Sequence, residues 1–274
     1  MDESERLETM LLKYSDYLQQ HTVLNRYWQQ ITLVLKGSTA RGYSDQYSDL
    51  DFVLFTDKET CDEIVSAYVR EGLSSRTDGI FLPLGDWDGH YHLDTYEHLR
   101  AYFDTDDVMN IWEYTHIRLL HDPFHRYQGI LEEKNEQFKS RLDSYIRGQY
   151  LTIQLQLDWM RQPLRRADAG ASLLYGAAVW RACCRLLYLL CDRAYPGDTW
   201  LFFYMDELPV PESIKSKIKA YGDFFHELSH LKADKNLEEY PLYAQGTDMV
   251  SHLCGLLHDR YGNAQWIDEW YLYA

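Results

Sequence analysis

The spacing of apolar residues predicts a chain that begins as mixed helix and strand and ends as helix alone. Residues 4–21 place Leu7, Met10, Leu11, Tyr14 and Leu18 at helical spacing, which predicts an amphipathic helix. Two short apolar runs follow, Ile31–Leu35 and Leu50–Thr56, and both read as strands. A short helix is expected to begin at Ser38, and turn residues around Gly42–Ser48, Asp45 among them, lead into the second strand. Asp57-Lys-Glu-Thr reads as a helix start, with Ile64, Val65, Tyr68 and Val69 on one side of the segment to Glu71. Gly79-Ile-Phe-Leu-Pro-Leu and Gly89-His-Tyr-His-Leu-Asp-Thr-Tyr are strand-like, and Gly85-Asp-Trp-Asp-Gly89 between them has hairpin character.

From Asp106 the period becomes helical. Val108, Ile111, Trp112, Thr115 and Leu119 recur along one helix that closes at His121-Asp-Pro. Further helices are expected at about 124–162, 170–193, 211–232 and 246–261, with breaks at Pro163, Pro196-Gly197, Pro209/Pro211 and Pro241. The expected fold is an α+β N-terminal domain over residues 1–120, a mixed β-sheet with flanking helices, followed by an all-α helical bundle over 121–274. No internal repeat or low-complexity linker separates them.

Composition narrows the class. A hydrophobic fraction of 46% with 23 Tyr and 8 Trp supports packed cores and excludes wholesale disorder. No uninterrupted apolar stretch is long enough to predict a membrane span, and the acidic start Met-Asp-Glu-Ser-Glu is unlike a signal peptide. The five cysteines are odd in number and lack metal-type spacing, so reduced thiols and a cytoplasmic location are expected. Net charge is −16. Residues 1–120 hold 10 Lys and Arg against 22 Asp and Glu, and the remainder 17 against 21. No basic stripe of the kind that tracks a polynucleotide is visible, so no nucleic-acid partner is expected. An acidic cleft suits metal ions and a cationic small molecule, although acidity also serves solubility.

The chemistry concentrates between Leu33 and Phe55. The first apolar run ends in Gly37-Ser38, and the second carries Asp49 and Asp51. Residues two apart in a strand point the same way, so both carboxylates share one face while Leu50, Phe52 and Leu54 take the other. Two convergent carboxylates call for a cation, and Mg²⁺ takes one or two carboxylates together with substrate phosphates. Gly37 permits close backbone approach, and Ser38 stands where backbone N–H groups can meet phosphate or where a simple helix cap is needed. The plain alternative is a strand–turn–strand whose aspartates face water.

This stretch resembles the signature of the DNA-polymerase-β-like nucleotidyltransferase superfamily: an apolar strand ending in Gly-Ser, then Asp-x-Asp in the next strand about ten residues on. The resemblance covers roughly residues 24–120. It implies that Asp49 and Asp51 hold Mg²⁺, with two ions bridging a nucleoside triphosphate such as ATP. It also implies that Gly37 and Ser38 cradle phosphate, with Arg41 as a further charged contact or a solvated loop residue. A third carboxylate is expected from a later strand, and Asp94 is the best positional match. Strand parity puts His90, His92 and Asp94 on one face, so His92 competes for that position. A turn or cap role for Asp94 before Glu97 is the alternative. Followed by a helical domain, this arrangement looks like the antibiotic nucleotidyltransferases that act on aminoglycosides and lincosamides.

Two other features need a reading. Arg181 and Arg185 lie four apart in an apolar segment and require anionic partners, internal carboxylates or a triphosphate. His226-Glu-Leu-Ser-His230 fits the short H-E-x-x-H zinc pattern, with both histidines on one face of a helix. The extended zinc motif fails at Ala233 and Asn236, so a zinc peptidase is disfavoured. The expected activity is transfer of a nucleoside monophosphate to a hydroxyl of a small, aminoglycoside-like molecule, releasing pyrophosphate. A protein acceptor or a degenerate nucleotide-binding module are the alternatives.

Overall fold

The computed structural model describes residues 3–43, 48–85, 87–104, 108–233 and 235–274. The expectations for Asp45, for the hairpin tip at Asp86 and for a helix start at Asp106 lie outside the described residues. Helix α1 (Glu3–Gln20) turns Leu11, Tyr14 and Leu18 inward, as the spacing predicts. After a 3₁₀ segment at Leu24–Gln30 come β1 (Thr32–Lys36), the single turn α2 (Gly37–Ala40) and β2 (Leu50–Thr56). Asp57 caps α3 (Lys58–Arg70) by accepting from Thr60 N at 2.9 Å. β3 (Phe81–Leu84), β4 (Trp87–Thr95), α4 (Tyr96–Asp104), α5 (Val108–Thr115) and β5 (Arg118–His121) follow.

The five strands form one mixed sheet in the order β3-β4-β2-β1-β5. β2 and β4 run parallel, and the other neighbours are antiparallel. β1 and β2 are apolar on both faces because both faces are covered. Leu33, Leu35, Leu50, Phe52, Leu54, Tyr91 and Leu93 join α1, α3 and the 3₁₀ segment in one core. On the other face Phe55 is ringed by Tyr96, Tyr114 and Tyr127.

The helix expected to run through Leu119 stops at Thr115, and residues 118–121 pair with β1 instead. Leu119 and Leu120 form too short an apolar run to fix a period. The exposed edge of β1 decides the matter by offering unpaired backbone groups. Helix α4, which the pattern does not announce, covers the adjoining face with Tyr96, Leu99 and Phe103.

Two compact units result, residues 1–136 and 137–274. The change expected at 121 falls inside α6 (Arg126–Arg165), because Tyr127 and Ile130 are buried in the first unit and Tyr127 OH donates to Tyr114 O at 2.7 Å. Pro163 sits in the last turn of α6, where it ends the helix rather than breaking it. The second unit continues with α7 (Ala169–Leu190), α8 (Glu212–Tyr221), α9 (Pro241–Tyr261) and α10 (Gln265–Asp268), joined by turns and 3₁₀ segments. By length and composition α7 is apolar enough to cross a membrane, yet half of that stretch is buried against its own unit. All five cysteines are free, with Cys183 and Cys184 buried in α7.

Candidate functional site

The antiparallel register of β1 on β2 sets Lys36 opposite Asp51, and the parallel register of β4 sets His90 opposite Asp51 from the other side. Gly89 makes that approach possible. A Cβ there would stand 2.7 Å from Leu50 O, so only glycine lets β4 close on β2 one residue before His90. The outcome is a group of three donors: one ligand atom each from Asp49, Asp51 and His90, all within 4.8 Å of one another. Asp49 is exposed, while the side chains of Asp51 and His90 keep 28% and 27% of their surface.

The Gly-Ser turn lies against this group. Gly37 has φ +79, a left-handed conformation that favours glycine, and a Cβ on it would meet Asp51 Oδ2 at 3.1 Å. Ser38 Oγ donates to Ser48 Oγ at 3.0 Å, and Thr39 Oγ1 donates to Asp49 O at 2.9 Å. These two bonds tie the start of α2 to the entry of β2 and so fix where Asp49 emerges.

His90 Nε2 lies 3.1 Å from Asp51 Oδ1, yet that oxygen is buried and has no hydrogen-bond partner. The short contact is therefore a proximity rather than a bond. Burial pushes the Asp51 carboxyl above its ordinary value, the negative charge of Asp49 adds to this, and His90 and Lys36 oppose it. Such an oxygen, beside a second carboxylate and a ring nitrogen, fits a divalent cation. Burial also lowers the His92 imidazole to about 4, helped by Lys36, so His92 is neutral.

Of the residues the sequence singles out, Asp49, Asp51, Gly37 and Ser38 come together. Asp94 does not join them. It stands opposite Phe55, four residues beyond His90 and so about 13 Å further along the strand at about 3.3 Å per residue. Its Oδ1 accepts from Thr95 N at 2.7 Å and lies 2.8 Å from His98 Nδ1, while the cap bond to the start of α4 comes from Thr95, whose Oγ1 accepts from His98 N at 3.1 Å. His92 is opposite Val53, so neither expected candidate takes the third position. The third donor near Asp49 and Asp51 is His90. Strand parity puts His90 on the face of the two residues expected there, and register brings it to Asp51.

Arg41 pairs with Glu113, whose charge reaches Asp51. The Arg41 side chain is 7% exposed, Nη1 is 3.4 Å from Glu113 Oε2, and the guanidinium lies over the Trp112 ring. Lys36 Nζ sits 4.5 Å from the centroid of the Tyr114 ring and 4.0 Å from Glu113 Oε1. Beyond His92, a cavity of 340 Å³ is lined in part by Phe81, His92, Asp94 and Tyr102. A larger cleft of 740 Å³ along α3, at Tyr27, Lys58 and Asp62, gathers no comparable donor group among the described residues.

The remaining motifs lose their chemistry. Arg181 and Arg185 both pair with Asp198 at 3.1 Å, the internal carboxylate reading. His226 to His230 lies in a 3₁₀ segment, Gly222–His230, not in an α-helix. At three residues per turn, positions four apart diverge by about 120°, so the two histidines do not share a face. His226 instead contacts Glu227 and the Asp223 carbonyl.

No family model matches this chain, and no curated protein does. Among solved structures it is similar to a nucleotidyltransferase-like protein from Exiguobacterium sibiricum 255-15, at 9% identity and a TM-score of 0.45, over 96% of this chain and 79% of that one. A likeness at that level carries no weight here.

Proposed function

We propose that the chain is a divalent-cation-dependent nucleotidyltransferase, moving a nucleoside monophosphate, AMP from ATP in the first instance, onto a hydroxyl group. The observation that carries this reading is the group Asp49, Asp51 and His90 held against the Gly37-Ser38 turn. A solvated aspartate pair would not need a buried, unbonded carboxylate oxygen crowded by a second carboxylate; a cation site does.

Asp49, Asp51 and His90 would hold the ion. Bound there, a divalent ion supplies charge neutralisation to a reacting phosphate and fixes its orientation. Gly37 keeps the space beside Asp51 open, and Ser38 is assigned to the β- and γ-phosphates. Thr39 positions Asp49 through its backbone bond, and Lys36 adds positive charge near Asp51. Arg41 acts at one remove, by holding Glu113. The acceptor is seated in the cavity beside His92 and Asp94, where a neutral imidazole can accept a hydrogen bond from a hydroxyl and a carboxylate can face a cation. The acidity of residues 1–120 suits such an acceptor, aminoglycoside-like in charge, and disfavours nucleic acid. A cytoplasmic location goes with the same reading.

The distance of Asp94 from the Asp49–Asp51 pair favours a second reading, a module that binds nucleotide without transferring it. Incubation with α-labelled ATP and a cell extract separates the two. Label on a small molecule is expected, and label on a polypeptide would shift the acceptor to a protein. Nucleotide binding with no transfer would leave the second reading. Transfer undiminished in Asp49→Ala/Asp51→Ala would remove the role given to these aspartates.

A further inference from the structure

We infer that this centre takes one first-row transition-metal dication, with Mn²⁺ as its probe, in preference to Mg²⁺, because its third protein donor is the His90 imidazole. The inference rests on the reading above and concerns the same site. Mg²⁺ is a hard ion that demands oxygen donors, whereas imidazole nitrogen suits softer divalent ions, which also accept carboxylate oxygen. Without substrate phosphates a second ion would need a further donor group, and the described residues gather none beyond this one. Asp94 is bonded to Thr95 and His98, and Glu113 faces Lys36 and Arg41.

His90 is held in place from several directions. Gly89 fixes the register that sets it opposite Asp51, and the Phe81 ring lies 4.3 Å from the imidazole by centroids, with His92 on the same strand face at 6.4 Å. Its Nε2 and the unbonded Asp51 Oδ1 stand 3.1 Å apart, close enough to be bridged by one ion, while Gly37 leaves the far side of Asp51 clear for solvent or phosphate. Three protein donors leave the remaining positions of a six-coordinate ion to those oxygens.

The experiment is a Mn²⁺ titration of the full chain, followed by loss of the free-ion electron paramagnetic resonance signal, with Mg²⁺ as competitor and pulsed detection of nitrogen coupling to bound Mn²⁺. Mn²⁺ is expected to bind at least about tenfold more tightly than Mg²⁺, with one bound ion per chain and a nitrogen coupling. His90→Asp should lose the coupling and bring the two ions within about threefold of each other. His90→Gln, a second variant that keeps a polar side chain, should lose the coupling and weaken Mn²⁺. Circular dichroism checks that both fold, and the coupling in the unaltered chain tests the donor without any variant. Mn²⁺ bound without nitrogen coupling, or Mg²⁺ bound as tightly, would overturn the inference while the nucleotidyltransferase reading stood. Absence of any ion binding that depends on Asp49 and Asp51 would overturn both.

Discussion

Asp51 on β2 and His90 on β4 face each other across a parallel strand pair, with Oδ1 and Nε2 3.1 Å apart and no hydrogen bond between them. A carboxylate oxygen buried without a bond is costly, so the pair marks a place where a further group is needed. The Gly37 turn on one side and Gly89 on the other are the two positions where absence of a side chain makes the pair possible.

Gly37→Ala should therefore be felt twice. The backbone at φ +79 strains any other residue, and the new methyl would press on Asp51 Oδ2 from 3.1 Å. A loss of about 1–2 kcal/mol in urea denaturation is expected, together with weaker divalent-ion binding. Unchanged stability and unchanged ion binding would show that the turn is not shaped around Asp51.

Asp94→Ala is expected to cost about 1–2 kcal/mol by removing the acceptor for Thr95 N and the partner of His98. Divalent-ion affinity should not move, since Asp94 stands opposite Phe55 rather than Asp51. Calorimetric titration of the variant checks this, and a tenfold loss of affinity would return Asp94 to the metal site.

Thr32 is fully buried and joins β1 to α4 and to the loop after β5. It donates to Asp122 Oδ1 at 2.8 Å, so the Tyr96 hydroxyl 2.7 Å away must be the donor to Thr32. Thr32→Val keeps the shape and takes the acceptor from the Tyr96 hydroxyl, while Asp122 Oδ1 keeps the Arg126 N–H, at an expected cost of about 1–3 kcal/mol. A thermal midpoint unaltered by the substitution would mean that the Tyr96 hydroxyl finds another acceptor.

His21 stacks on Tyr68 at 5.0 Å, and burial lowers its imidazole below the ordinary 6.5, against the pull of Glu71. The unfolded chain then binds a proton more readily than the folded one, so stability rises with pH through this range. The contribution is complete above the ordinary value and is lost as pH falls through the lower folded value. Denaturation midpoints at pH 7.5 and pH 5 should differ less in His21→Gln than in the unaltered chain. Equal differences would assign the pH dependence elsewhere.

The order of the elements from α1 to β4 and the face shared by Asp49 and Asp51 were legible in the sequence because they depend on neighbours along the chain. A period of two sets the carboxylates against Leu50, Phe52 and Leu54, and a helical period sets Leu11, Tyr14 and Leu18 inward. The glycine at 37 signalled a close approach for the same local reason. What the tertiary structure decided is non-local. Parity put His90, His92 and Asp94 on one face and pointed to Asp94 or His92, whereas the pairing of β4 with β2, permitted by Gly89, brings His90 to Asp51. The open edge of β1 turned residues 118–121 into a strand, and the Trp180 ring against Gly222 marks where α8 gives way to the tighter 3₁₀ turn that separates His226 from His230. Spacing along the chain fixes which way a side chain points; which partner it meets depends on register between segments, and that is settled only when both faces of the sheet are filled.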